Sequence, residues 1–165
     1  MAFSKSLFGK NVEGYIKNPN LKYSNLSLET LSLDDVDIVI CALSNGESSG
    51  FVKEIEKIDN QIVIIDIGSD FRFDDDWSYS IPEINKLKEG TKKISNPGCY
   101  ATAMQLAIAP LKNHIKSKVS CIGISGYSGA GSSPNDKNNP ETLKNSILPY
   151  SLTNHTHEEE VKKHC

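Results

Sequence analysis

Arginine is almost missing from this chain: Arg72 is the sole one among 18 basic residues. Lysines never gather into a cluster interleaved with aromatics, aromatics make up only 7%, and the net charge is −3 at pH 7. The electrostatic footprint of a nucleic-acid binder is therefore absent, and nucleic acid is not expected as a partner. No apolar run approaches the roughly 18–20 residues that a membrane-spanning helix needs, so no membrane is expected. The opening MAFSKSLFGKNVEG lacks the long apolar core of a signal peptide and is too short and arginine-poor for an import sequence. Four cysteines (Cys41, Cys99, Cys121, Cys165) include no CxxC pair and no disulfide-framework spacing, which points to a reducing compartment. One further absence matters: no strand, glycine fingerprint and helix of the dinucleotide-binding kind stands before Val36.

With 38% hydrophobic and 24% charged residues, the chain has enough apolar surface for a sizeable core. VDIVICAL (36–43), QIVIIDI (61–67) and KVSCIGI (118–124) are short β-branched runs without polar alternation, as expected of strands buried on both faces of a parallel sheet. Cys41 and Cys121 fall inside these runs and read as core. Between the first two lies GFVKEIEKID, whose Phe51, Ile55 and Ile58 recur at helical spacing, which makes a β-α-β unit. After Cys99, Met104, Ile108 and Leu111 share a helical face, with Pro110 near its end. SGYSGAGSSPNDKNNPET reads as loop, and a new helix is entered at Thr156.

The chemistry centres on ISNPGCYATAMQLAIAPL, residues 94–111. Cys99 is either a small buried residue in a turn or a nucleophile. A thiol at a helix N-terminus feels the positive end of the helix dipole and free backbone N–H groups, which favour thiolate and stabilise an oxyanion on an attacked carbonyl. A cysteine nucleophile needs a proton carrier, and NHTHEEE offers His155 and His157. The same stretch also reads as a solvated helix start; a zinc site is weakly supported, since no matching Cys/His pair exists elsewhere, and no metal is expected. Arg72, directly after a strand, is either a surface ion pair or a fork for a carboxylate or phosphate.

ISNPGCYATAMQLAIAP resembles the cysteine signature of the N-acetyl-γ-glutamyl-phosphate reductase family, within the semialdehyde dehydrogenase group. ALSNG (42–46), IDIGSDFRF (65–73), YSIPEIN (79–85), SGYSGAG (125–131) and NHTHEEEV (154–161) match in the family's order; Ser44, Ile67 and Gly68 depart from its usual Pro, Leu and Ser. The resemblance implies an α/β fold: an incomplete Rossmann-like NAD(P)-binding parallel sheet over residues 1–117, followed from 118 to 165 by the start of an α+β catalytic and dimerisation domain. The family's glycine-rich NADP turn is expected before Met1 and most of its second domain after Cys165. The chain then reads as an internal fragment, inactive by itself and a poor binder of NADPH.

The same resemblance implies the activity. Cys99 attacks the acyl phosphate of N-acetylglutamyl phosphate, phosphate leaves, and the thioester is reduced by hydride from NADPH to the semialdehyde, in arginine biosynthesis. His157 is the favoured proton carrier, with Glu160 orienting its ring, and His155 stays open for that role. Asn45 and Gly46 would line the cofactor crevice, and Ser125, Gly126, Ser128 and Gly129 the nicotinamide end, both in loops after strands; Arg72 and Asn96 would face the substrate. The YSIPEIN linker and the tyrosine of SGYSGAG look most like the fungal type. That type implies a homo-oligomer cut from a mitochondrial precursor that also contains an acetylglutamate kinase; otherwise the compartment is the cytoplasm. Two alternatives remain: a sibling reductase of aspartyl or aminoadipyl phosphate, and a non-catalytic binding module on the same fold. A cysteine hydrolase ranks last.

Overall fold

The computed structural model describes residues 2–12, 20–25, 27, 31–131, 134–149 and 151–165. Two short strands near the start, β1 (Ala2–Phe3) and β2 (Tyr23–Ser24), pair in parallel apart from the main sheet. The main sheet has four parallel strands, β3 (Ile38–Cys41), β4 (Val63–Asp66), β5 (Ser78–Tyr79) and β6 (Lys93–Ser95), in the order β3-β4-β6-β5. Helix α1 (Ser48–Ile58) returns the chain from β3 to β4, so the expected β-α-β unit is present. Its buried stripe is Ser48, Val52 and Ile55, at i, i+4 and i+7, whereas Ile58 is half exposed. Val52 and Ile55 meet Cys41, Ile62, Ile64 and Trp77 in one core, flanked by Val39, Leu31, Leu33 and Phe71. Phe71 stacks on Trp77 with ring centroids 3.9 Å apart. Burying each aliphatic side chain of this set stabilises the fold by roughly 1.5–3 kcal/mol.

At the carboxyl ends of β4 and β6, Asp66 and Ser95 lie in register and are fully buried. Ser48 Oγ donates to Asp66 Oδ1 at 2.7 Å and so ties α1 to the central strand. The chain leaves β6 through Asn96-Pro97-Gly98 and enters α2 (Cys99–Ile108), which runs on as a 3₁₀ segment over Ala109–His114. Beyond it lie the short α3 (Pro140–Leu143) and finally α4 (Thr156–His164), which packs against α2 and begins at the expected residue.

Several expectations need correction. Residues 118–124 form no strand: Ile122 is 96% and Ile124 83% exposed, and Cys121 is exposed rather than core. A β-branched run becomes a strand only where a neighbour receives its backbone groups, and no described strand lies beside this one. β3 is covered on one face only: Val39 and Cys41 pack with α1, whereas Ile38 (53%) and Ile40 (62%) on the opposite face are exposed. On α2 the buried positions are Ala101 and Gln105, while Leu111 is exposed, because α4 covers the Ala101–Gln105 side of the helix. The expected loop from Ser125 onward holds 3₁₀ turns at Tyr127–Ala130 and Asp136–Asn138 besides α3; Ser132 and Ser133 lie outside the described residues.

Candidate active site

The turn from β6 into α2 exposes two side chains and buries two residues. Asn96 and Cys99 are exposed; Pro97 and Gly98 between them are buried. Asn96 N–H donates to Asp66 C=O at 2.8 Å, which anchors the turn to the central strand, and Asn96 Nδ2 donates to Pro97 C=O at 3.0 Å. Cys99 is the first residue of α2, whose N-terminus carries no side-chain cap. The thiol therefore stands at the positive end of a ten-residue helix, beside first-turn N–H groups that no side chain covers.

Behind that turn, α4 delivers Glu160, which has no exposed surface. Its Oε1 accepts from Arg72 Nη1 at 2.8 Å, and its Oε2 accepts from Gly98 N–H at 2.9 Å and from the Tyr79 hydroxyl at 3.0 Å. Arg72 also donates through Nε to Asn96 C=O at 3.1 Å and through Nη2 to Ile67 C=O at 3.4 Å. Arg72 is thus buried in an internal ion pair, which corrects the surface-pair reading; the carboxylate in its fork belongs to the protein itself. Glu160 does not hydrogen-bond His157, since the nearest approach to His157 Nε2 is 3.9 Å, so the expected ring-orienting bond is replaced by one to the Gly98 backbone.

His157 nevertheless reaches the turn. A Cβ added to Gly98 would run into His157 Nε2 and would lie 2.7 Å from Arg72 Nη1, so only glycine admits both groups at this position. Among the described residues, none gives the buried His157 Nδ1 a hydrogen bond. Burial lowers the pKa of His157 against the opposing charge of Glu160, with His155 and Arg72 adding to the lowering; this favours the neutral ring that a base needs. His155 does a different job: its Nδ1 accepts from His157 N–H at 3.1 Å and caps α4. The two rings meet edge to face at 4.5 Å, and Tyr100 lies about 6 Å from each.

The loop after β3 places Asn45 and Gly46 at the carboxyl end of the sheet, where open α/β sheets bind ligands. Gly46 has φ 89° and open space around it, but its N–H donates to Asp70 Oδ1 at 2.6 Å and Ser48 N–H to Asp70 Oδ2 at 2.9 Å. Those two N–H groups are given to a carboxylate of the protein, so they are not open to cradle a cofactor's phosphates. Ser125, Gly126, Ser128 and Gly129 are exposed in a loop closed on itself by Gly129 N–H to Gly126 C=O. The tie from this part of the chain to the Cys99 turn is Gly123, which packs so closely on the Tyr100 ring that a Cβ would collide with it. Among the described residues, no group of three or more His, Cys, Asp or Glu is placed to hold a metal.

Reading the sequence missed Asp70, Tyr79, Gln105 and His164. Asp70 had a usable signal, an acid shortly after a strand end; Tyr79, Gln105 and His164 had none, since each finds its partner across the fold.

Two family models cover most of the chain: the semialdehyde dehydrogenase NAD binding domain matches residues 1–92 and the semialdehyde dehydrogenase dimerisation domain residues 99–165, beginning at Cys99 itself. N-acetyl-gamma-glutamyl-phosphate reductase from Xanthomonas axonopodis pv. citri is 50% identical over 142 residues, which is 86% of this chain and 45% of that protein. Protein ARG5,6, mitochondrial, from Candida albicans is 46% identical over 167 residues, 96% of this chain and 19% of that one. The chain spans about half the length of the bacterial relatives it matches. Among solved structures, aspartate semialdehyde dehydrogenase from Francisella tularensis superposes with a TM-score of 0.55 at 22% identity, over 68% of this chain and 32% of that one, a likeness of fold. A parallel sheet whose last strand turns through Pro-Gly into a helix opened by an exposed cysteine, matched at this depth along nearly its whole length, belongs to the semialdehyde dehydrogenase family.

Proposed function

We propose that this chain is the cofactor-side half, with the catalytic cysteine, of an NADPH-dependent reductase that converts N-acetyl-L-glutamyl 5-phosphate to N-acetyl-L-glutamate 5-semialdehyde. The observation that carries the reading is Cys99, exposed at the uncapped start of α2 with the His157 ring against the preceding Gly98. The name of the 50%-identical Xanthomonas relative supports the substrate. His157 Nε2 takes the thiol proton; the Cys99 thiolate attacks the acyl carbon, phosphate departs, and a thioester remains on sulfur. First-turn N–H groups of α2 stabilise the oxyanion that forms on the way. Asn45, Gly46 and the Ser125–Gly129 loop would wall the nicotinamide, which when bound would supply the hydride for the thioester. His157 then returns its proton as the hemithioacetal collapses. Asn96, exposed beside Cys99, faces the substrate, while Arg72, buried behind it, holds Glu160 and the turn.

On this reading the whole enzyme is a homo-oligomer. In the fungal arrangement it is mitochondrial, a compartment the name of the Candida relative gives for that protein, and is cut from a precursor that also holds an acetylglutamate kinase. The test is a chimera in which this chain replaces the matching half of the Xanthomonas reductase. NADPH-dependent reduction of N-acetylglutamyl phosphate, lost by about 10³-fold or more in Cys99→Ser, is the expected result. A folded chimera that turns over aspartyl phosphate instead, or keeps its rate with serine at position 99, would overturn it.

A further inference from the structure

Behind the Cys99 turn runs a chain of buried hydrogen bonds that the proposed chemistry does not use. Gln105 Nε2 donates to the Tyr79 hydroxyl at 2.7 Å, and that hydroxyl donates to Glu160 Oε2 at 3.0 Å. The same oxygen of Glu160 accepts from Gly98 N–H at 2.9 Å. Gln105 is 2% exposed on the helix that Cys99 opens, an expensive place for an amide unless its bonds matter. Tyr79 is the second residue of a two-residue strand; its ring lies flat on His164 of α4, with centroids 3.7 Å apart and planes within 4°. His164 Nε2 in turn bonds to Arg72 C=O at 2.7 Å. Helix α2 is thus tied to Glu160 at two points, directly at its N-cap and, about two turns further on, through Gln105 and Tyr79.

We propose that Tyr79 and Gln105 are positioning residues of the Cys99 centre, acting through Glu160 to hold the Gly98–Cys99 turn and to keep the Glu160 carboxylate engaged away from the thiol. Two physical effects agree in direction. A carboxylate that loses its hydroxyl donor is less neutralised, and its field disfavours a nearby thiolate. A Gly98 N–H on a looser acceptor lets the first turn of α2 drift, which weakens the helix-end stabilisation of the same thiolate. Burial, then the Glu160 charge, raises the Tyr79 pKa, so the hydroxyl keeps its proton and remains a donor at every physiological pH. The other charged or titratable groups at this turn are Arg72, His157 and, across the Tyr100 ring, His155.

The inference rests on Cys99 as nucleophile, so the test reads the two separately. In the purified chain, iodoacetamide alkylation of each cysteine is followed against pH by mass spectrometry, and hydrogen exchange of the Gly98 amide is followed by NMR. Tyr79→Phe keeps the ring stacked on His164 and removes only the hydroxyl. The expected result is an alkylation of Cys99 at neutral pH slower by about two- to threefold, a midpoint moved up by about half a unit, and faster exchange at Gly98, with Cys121 unchanged. Gln105→Met, which leaves the Tyr79–Glu160 bond in place, should shift each readout in the same direction by less, and it decides the matter if Tyr79→Phe does not fold. A folded variant with the parent chain's Cys99 midpoint and Gly98 exchange overturns the positioning role. A parent chain in which Cys99 alkylates no faster than Cys121 overturns the nucleophile instead, while Gly98 exchange still reports on the positioning.

Discussion

Two helices of this chain start at the same edge of the sheet and are finished differently. Helix α1 follows β3, and Asp70 from the next loop closes the N–H of its first residue, Ser48, and that of Gly46 just before its N-cap. Helix α2 follows β6, and the carboxylate brought to it, Glu160, binds one residue earlier, at the N–H of Gly98, with its charge met by Arg72. The shift of one residue decides what each end can do. At α1 the anion-binding groups are occupied by the protein's own acid, and the loop is left as a wall. At α2 the carboxylate is pinned behind the turn and neutralised, and Cys99 stands exposed at a helix start that has no side-chain cap. The two thiols follow suit: Cys41, at the end of β3, is buried, and burial, then the charges of Asp66 and Asp70, push its pKa up to about 11.

The sharpest way to break this contrast is at the proton carrier. In the active chimera, His157→Asn should slow turnover by roughly 10²- to 10⁴-fold with substrate binding less affected, the usual scale of general acid–base catalysis. His155→Asn should do far less, because asparagine is itself a good N-cap and preserves the role that His155 plays at α4. The reverse ranking of the two rate constants would exchange their roles. Next in size is Glu160→Gln, which strands the buried Arg72 charge and should cost about 3–5 kcal/mol in the denaturant midpoint of the chain. A loss under 1 kcal/mol would mean that Arg72 has another counter-charge. Third, iodoacetamide at pH 7.5 should modify Cys99 about 10²-fold or more faster than Cys41, since a thiol titrating near 11 is almost wholly protonated there. Comparable rates by peptide mapping would remove the distinction between the two ends.

The turn and helix start at Cys99 were legible in the sequence because their signals are local: Pro-Gly to turn the chain and a helix-forming run directly after Cys99. The β-α-β unit from Val36 to Ile67 was legible for the same reason, a pattern complete within each segment. What failed needed knowledge of partners. Lys118–Ile124 has the composition of a strand and no described neighbour to pair with, and strand β5 is two residues long, below any periodic signal. The ion pair of Arg72 with Glu160 joins residues 88 positions apart, so nothing around either one announces it. For Glu160, its place one turn after His157 fitted a ring-orienting role; the structure turns the carboxylate to the backbone that His157 touches.

The smallest effect is expected where α1 begins, and it tests whether the two helix ends really differ. Asp70→Asn keeps the size and one acceptor of the side chain but removes the charge that faces the dipole of an eleven-residue helix, and one of its two bonds, to Gly46 or Ser48 N–H, goes with it. Loss of an N-terminal cap and its dipole interaction together costs about 1–2 kcal/mol, read as a lower denaturant midpoint at unchanged slope. Cys41 should respond in the opposite sense: with the Asp70 charge gone, one of the three causes that raise its pKa disappears, and its alkylation at high pH should begin at a lower value. Cys99 should keep its rate, because Asp70 closes the other helix. A Cys99 rate that falls along with the midpoint would show that the two ends are one coupled structure and that the chemistry at α2 depends on the cap at α1.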